Sequence, residues 1–149
     1  PVDEISIRRA TSKDAALYFA WVNDQYVRSA SLSSSEIQWD EHSVWFNEKV
    51  NSDTSKMYVC LAGGLPIGQV RFDFIDNHVE LDYSLDSDVR GRDWARVILD
   101  LALHEFRAHS QEAVFATVRN QNKRSISALL KAGYAQISGD EVSAVFLHT

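Results

Sequence analysis

The residues best placed for chemistry lie between Val79 and Ala95. There an alternating strand (Val79, Leu81, Tyr83, Leu85) runs into Asp88-Val89-Arg90-Gly91-Arg92 and then straight into a helix. A strand feeding a glycine-containing basic turn at a helix start outlines an anion site. Unsatisfied backbone N–H groups point out of the first helical turn, and the macrodipole favours negative charge there. Each such dipole contact contributes only about 0.3–1 kcal/mol, so several must converge with arginines to hold a diphosphate. Arg90, Arg92 and Arg96 fall where that charge is needed.

The surrounding chain must position this turn. Its 149 residues suit one domain spanning 1–149. A chain of this length buries roughly 68–70% of its unfolded surface, so it needs neither a disulfide nor a metal to fold, and no metal is expected. Cys60 is the only cysteine and lies in the apolar run Tyr58-Val59-Cys60-Leu61, which reads as a core thiol. A lone cysteine makes no internal disulfide and fits a reducing, cytoplasmic setting. No apolar run approaches the ~20 residues of a membrane span, and no signal-peptide pattern opens the chain. Pro1 stands first, as expected of a processed start or of a piece of a longer protein. The net charge of −6 argues against general nucleic-acid binding and requires any anion site to be built locally. The chain itself is expected as a monomer or homodimer.

Periodicity gives the elements. Glu4 to Arg9 alternates as a first strand, with Ile5 and Ile7 inward. Thr11 or Ser12 caps a helix that holds Leu17, Tyr18, Ala20 and Trp21 and ends near Asn23-Asp24. Ser29 to Ser35 reads as a loop, and a second helix covers about Trp39 to Val50. Lys56 to Ala62 and Ile67 to Phe74 read as a hairpin joined through Gly63-Gly64-Leu65-Pro66. Asp76-Asn77-His78 turns the chain into the strand at Val79. After Arg92, Ala95, Ile98, Leu99, Ala102 and Phe106 mark one buried helix face. Ala113 to Val118 is the next strand. A shorter helix then points Ile126, Leu129 and Leu130 inward and stops at Gly133. Tyr134 to Ile137 and Val142 to Leu147 close the chain around Ser138-Gly139-Asp140. The order β-α-α-β-β-β-α-β-α-β-β predicts an α/β fold with a mixed sheet of about seven strands and about four helices.

That order, with a basic glycine turn after the fourth strand, resembles the GNAT family of N-acetyltransferases over essentially the whole chain. Arg90-Gly91-Arg92-Asp93-Trp94-Ala95 is similar to the family's pyrophosphate loop and departs at Asp93, where glycine is usual. Asn122-Lys123-Arg124-Ser125-Ile126, leading to Leu129-Leu130-Lys131-Ala132-Gly133-Tyr134, resembles its Asn-x-x-Ser helix. A narrower resemblance, to acetyltransferases acting on amino-sugar nucleotides, rests on Trp21-Val22-Asn23-Asp24, Trp39-Asp40-Glu41-His42 with Trp45-Phe46, and Gly68-Gln69-Val70-Arg71-Phe72-Asp73.

The resemblance implies acetyl-CoA as co-substrate, held between the fourth and fifth strands, with direct attack of a neutral amine on the thioester. It implies that backbone groups of Ser84, Leu85 and Asp86 meet pantetheine and thioester. The turn of Arg90, Gly91, Arg92, Asp93, Trp94 and Ala95 would hold the diphosphate, and Asn122 and Ser125 would complete the site. Glu80 is the first candidate base and His42 the second, while a solvated strand residue and a packed helix histidine explain the same two positions. Tyr83 is the candidate donor to the leaving thiolate, or a core tyrosine. The family's usual acid, a tyrosine, falls at Leu129, which carries no proton. The acceptor side is expected from Asn23, Asp24, Arg28, Trp39, Trp45 and Arg71. Asp93 is expected to point to solvent or pair with Arg92 or Arg96. An acceptor at a protein N-terminus or another cationic amine, and a degenerate acyl-CoA-binding module without turnover, are the alternatives.

Overall fold

The computed structural model describes residues 4–24, 27, 35–89 and 93–149. Alternating inward residues build β1 (Ile5–Arg9), which leads through a 3-10 turn (Ser12–Asp14) into α1 (Ala15–Val22). Thr11 makes a reciprocal cap there: its side chain accepts from the Lys13 amide, and the Asp14 carboxylate accepts from the Thr11 amide at 2.8 Å. Asp14 also meets Arg8 at 2.8 Å, tying the helix start to β1. α2 (Trp39–Val50), β2 (Ser55–Ala62), β3 (Leu65–Ile75) and β4 (His78–Leu85) follow. Then come α3 (Trp94–Arg107), β5 (Val114–Arg119), α4 (Lys123–Lys131), β6 (Ala135–Gly139) and β7 (Ser143–His148).

The seven strands form one sheet in the order β1-β2-β3-β4-β5-β7-β6, antiparallel except between β4 and β5. The period of two along β3 sorts its residues between two helical layers. Val70 and Phe72 join Leu81, Ile98, Leu99 and Phe106 under α3, where the Phe72 and Phe106 rings stack 4.4 Å apart. On the opposite face, Tyr18, Trp21, Phe46, Met57 and Val59 pack beneath α1 and α2. The polar residues Gln69, Arg71 and Asp73 of β3 share that face with Asp82 and Ser84 of β4, in the register Gln69↔Ser84 and Arg71↔Asp82.

Among the described residues the predicted element order holds, and the turns differ in detail. Gly63 and Gly64 alone make the first hairpin turn, at φ of +58° and +81°, where a side chain is strained. Leu65 and Pro66 therefore belong to β3, and a register irregularity at Cys60 and Leu61 accommodates the proline. The last turn sits later than Ser138-Gly139-Asp140, because the Asp140 carboxylate accepts from the Val142 and Ser143 amides at 2.8 and 2.9 Å. Leu130 is 52% exposed rather than inward, and the buried face of α4 is Ser125, Ala128 and Leu129. Cys60 is fully buried, and burial pushes its thiol up to about 12.

A cleft opens where the parallel ladder stops. β4 and β5 pair only at Val79↔Val114 and Glu80↔Phe115. Beyond those pairs the strands part, and a cleft of about 850 Å³ opens between residues 81–85 and 116–119.

Candidate active site

The cleft runs through the sheet at this gap and has two chemically distinct halves. On the α3/α4 side, Tyr83 leaves β4 toward α4, and its hydroxyl lies 2.7 Å from Ser125 Oγ. Asn122 caps α4 by accepting from the Ser125 amide at 3.2 Å, which fixes the serine at the helix start. Arg119, Lys123, Arg124 and Lys131 line the same half. Arg119 Nε is buried with no hydrogen-bond partner among the described residues. Four cations, one with a donor left open, make this half a surface that can meet anionic groups.

The α1/α2 side carries Tyr18, His42, Trp45, Gln69, Arg71 and Asp82 on its walls. Arg71 Nε donates to Asp73 at 2.8 Å, Asp82 lies 3.7 Å away, and the guanidinium rests 5.0 Å over the Trp45 ring. Burial alone would lower the Arg71 pKa, but Asp82 and Asp73 outweigh it and hold the group charged. Burial likewise works against an ionised Asp73. Arg71, a hydrogen bond from Ser55 and the Lys49 charge overcome it, and the carboxyl is held below its usual range. His42 Nε2 faces the Ala15 carbonyl at 2.9 Å, so Nε2 carries the proton and Nδ1 is the acceptor. Burial lowers the His42 pKa, with the Ala15 bond opposing in part, and the ring is neutral near pH 7.

The sequence candidates divide on this geometry. His42, Tyr83, Ser84, Leu85, Asp93, Ala95, Asn122, Ser125, Trp45 and Arg71 all line the cleft. Glu80 does not: it points from the paired end of β4, and its carboxylate meets His78 at 3.2 Å. Asp82, one step along the same face, is the carboxylate on the wall. The Asp86 amide is committed to the Ile67 carbonyl at 2.8 Å. Its carboxylate accepts from Trp21 Nε1, also at 2.8 Å, anchoring α1 to the end of β4. Trp94 packs against the core instead of the cleft. Asn23 clasps the Ile37 backbone through both ends of its amide, at 2.6 and 2.8 Å, and Asp24 accepts from the Val27 amide. Trp39 stands edge-on to Phe19 at 5.1 Å, outside the cleft walls. Arg28, Arg90, Gly91 and Arg92 lie outside the described residues.

Asp93 opens α3 without making a cap hydrogen bond. It lies 3.8 Å from Arg96, as one of the expected pairings had it, and 3.7 Å from Lys131 across the groove. Leu129 is fully buried in the core and does not reach the cleft. Gln69 and the basic residues of α4 entered the sequence reading only as members of family-like motifs, and neither they nor Asp82 were assigned to the site. The signal available for Gln69 was polar residues at alternate positions 69, 71 and 73 of an otherwise apolar strand.

The family model of the acetyltransferase (GNAT) domain matches residues 4–135. No curated protein matches the chain. Among solved structures, a domain from Methanocaldococcus jannaschii superposes with a TM-score of 0.84 at 18% identity, covering 98% of each chain. A spermidine N-acetyltransferase from Vibrio cholerae, solved with CoA and spermine, gives a TM-score of 0.82 at 15% identity over 96% of this chain and 93% of that one. An aminoglycoside acetyltransferase, AAC(6')-Ib, with coenzyme A and kanamycin gives 0.80 at 15% over 97% and 93%. Identities this low carry the fold.

Proposed function

The chain belongs to the GNAT family of acetyl-CoA-dependent N-acetyltransferases, and from that premise we propose that it acetylates a primary amine of a small cationic molecule by direct attack in a ternary complex. The observation that carries this reading is the cleft through the gap between β4 and β5, basic on the α3/α4 side and lined by Asp82 and Gln69 on the other. The thioester sits in the gap, where the β4 backbone past the last paired residue faces it. The amine approaches from the α1/α2 side, so the two reactants meet in line. Holding them so is a large part of the acceleration, with effective molarities up to ~10⁵–10⁸ M in the best geometries.

The amine must lose a proton first. At pH 7 an amine of pKa ~10.4 is neutral in about one molecule in 2,500, which costs about 4.6 kcal/mol. Asp82 is the group that holds the ammonium and receives that proton, directly or through a water. Neutral His42 stands on the same wall as a second acceptor. The leaving thiolate departs toward the Tyr83–Ser125 hydroxyl pair, which supplies the proton that Leu129 cannot.

The amino-sugar nucleotide and the cationic amine are weighed by charge. An amino-sugar nucleotide needs a cation for its diphosphate, but among the described residues on this side Arg71 and Lys49 are balanced by Asp73 and Asp82. One face of the half-buried Trp45 ring, which a nucleobase would use for stacking, already carries Arg71. The chain's net charge of −6 draws a cation toward the cleft and repels a second anion. Acetyl-CoA as co-substrate and the lone buried Cys60 both suit a cytoplasmic setting.

Thiol release from acetyl-CoA tests the reading with a panel of spermidine, kanamycin, an amino-sugar nucleotide and a short peptide with a free N-terminus. Spermidine or kanamycin is expected to exceed the nucleotide in kcat/KM by at least tenfold. Preference for the nucleotide overturns the substrate class. Acetyl-CoA binding without turnover of any amine overturns the reaction.

A further inference from the structure

We propose that Gln69 selects the acceptor: its amide oxygen receives an N–H of the primary amine while Asp82 receives another. This rests on the reading of the cleft as an amine site. Gln69 is 5% exposed and lines the α1/α2 half. Its Nε2 donates to Asp82 Oδ2 at 3.1 Å and to Ser84 Oγ at 3.2 Å, which fills both donor positions. Oε1 has no hydrogen-bond partner among the described residues.

The amide cannot relieve this by turning over, because Oε1 would then face the Asp82 carboxylate, acceptor against acceptor. Asp82 therefore dictates which end of Gln69 is left open, and it is the accepting end. A buried acceptor without a partner is unfavourable until a donor meets it. The last torsion of a glutamine is soft. A small turn presents Oε1 to a ligand in the cleft while Nε2 keeps its contact with Asp82.

The chemistry of the missing partner follows from the count of donors. A ligand hydroxyl or thiol carries one donor hydrogen and satisfies Asp82 or Gln69, not both. A neutral primary amine carries two and an ammonium three. Two N–H bonds held by Asp82 and Gln69 also fix the direction of the nitrogen lone pair once the amine is neutral, which a secondary amine with one N–H cannot match.

The experiment takes the amine of the panel above that is turned over fastest, with its analogue bearing hydrogen in place of the acetylated amino group. Dissociation constants for both are measured on the wild type and on Gln69→Met, which preserves length and removes both polar atoms. The preference for amine over analogue is expected to fall about tenfold in the variant, equivalent to about 1.4 kcal/mol. Acetyl-CoA affinity is expected to stay within twofold. Equal weakening of both ligands overturns the inference and leaves Gln69 as a positioning residue for Asp82. A wild-type measurement guards against a variant that fails to fold: the N-methyl derivative of the same amine is expected to show at least tenfold lower kcat/KM. Equal rates for the two overturn the inference while leaving the acetyltransferase reading intact. No turnover of any panel amine overturns both, and is distinguishable because no ratio can be formed.

Discussion

Replacing Asp82 by Asn tests the acceptor half with little disturbance to the fold. The substitution keeps size and shape and removes one charge beside the attacking nitrogen. Two unit charges ~4 Å apart attract by about 4 kcal/mol at an effective dielectric of ~20. The Asp82 side chain is 53% exposed, so screening reduces this to about 1–2 kcal/mol, the range of charged hydrogen bonds in partly wetted sites. That corresponds to a loss of about 5–30-fold in affinity for the cationic amine. Loss of the proton acceptor costs a further factor at the low end of ~10²–10⁴ in kcat. Together, kcat/KM for the amine is expected to fall by about 10³, with KM for acetyl-CoA unchanged. Arg71 keeps its 2.8 Å bond to Asp73, so stability is expected to move by under about 1 kcal/mol. The assay is thiol release between pH 6 and 9 beside thermal unfolding. Buried Cys60, its thiol pushed up to about 12, contributes no background to thiol detection in the folded protein. A variant within threefold of wild-type kcat/KM, or one whose loss of activity matches an equal loss of acetyl-CoA binding, refutes the assignment.

Gly68→Ala is expected to loosen the cofactor side, because a Cβ there would lie 2.6 Å from the Ser84 carbonyl and 3.1 Å from Ile98 Cδ1. Pushing β3 off β4 should cost about 1–3 kcal/mol and raise KM for acetyl-CoA, and an unshifted melting curve would contradict it. Leu129→Ala should cost about 2–5 kcal/mol at a fully buried site. Per folded molecule its kcat should be unchanged, and a selective loss of turnover would give Leu129 a catalytic part. Stability should fall as the pH drops below ~6.5. Burial lowers the folded-state pKa of His42 below its unfolded value, so the unfolded chain takes up the proton first. Asp73, also held low, extends the loss below ~pH 4 as it protonates. His42→Gln should flatten the first part of that decline, leaving the contribution of His148, whose pKa is lowered by burial and Arg107. An identical slope in denaturant titrations at pH 5 to 7 would exclude His42 as its source.

The sequence by itself determined the elements. Periods of two and 3.6, the Thr11 cap and the Gly63-Gly64 and Gly133 signals act over a few residues, so they survive without tertiary context. The Asn122 and Ser125 pair was legible only through its resemblance to the family's Asn-x-x-Ser helix, and the fold adds that the Asn122 side chain accepts from the Ser125 amide three positions on. Tertiary structure alone decided which polar groups meet across strands. Glu80, Asp82 and Ser84 share one face by alternation, but only the two-residue length of the β4–β5 ladder leaves Glu80 beside a paired strand and Asp82 on the cleft wall. The register Gln69↔Ser84 and Arg71↔Asp82 gives Gln69 its donors' partners and leaves its oxygen open. Asn23 shows the converse: a polar residue placed by sequence at the acceptor is bound by the Ile37 backbone, a partner 14 residues away. Asp93, the departure from the family pattern, meets Lys131 of α4 across the groove. Such pairings depend on strand register and helix docking, which the whole chain sets by burying its apolar faces, and no local window of sequence contains them.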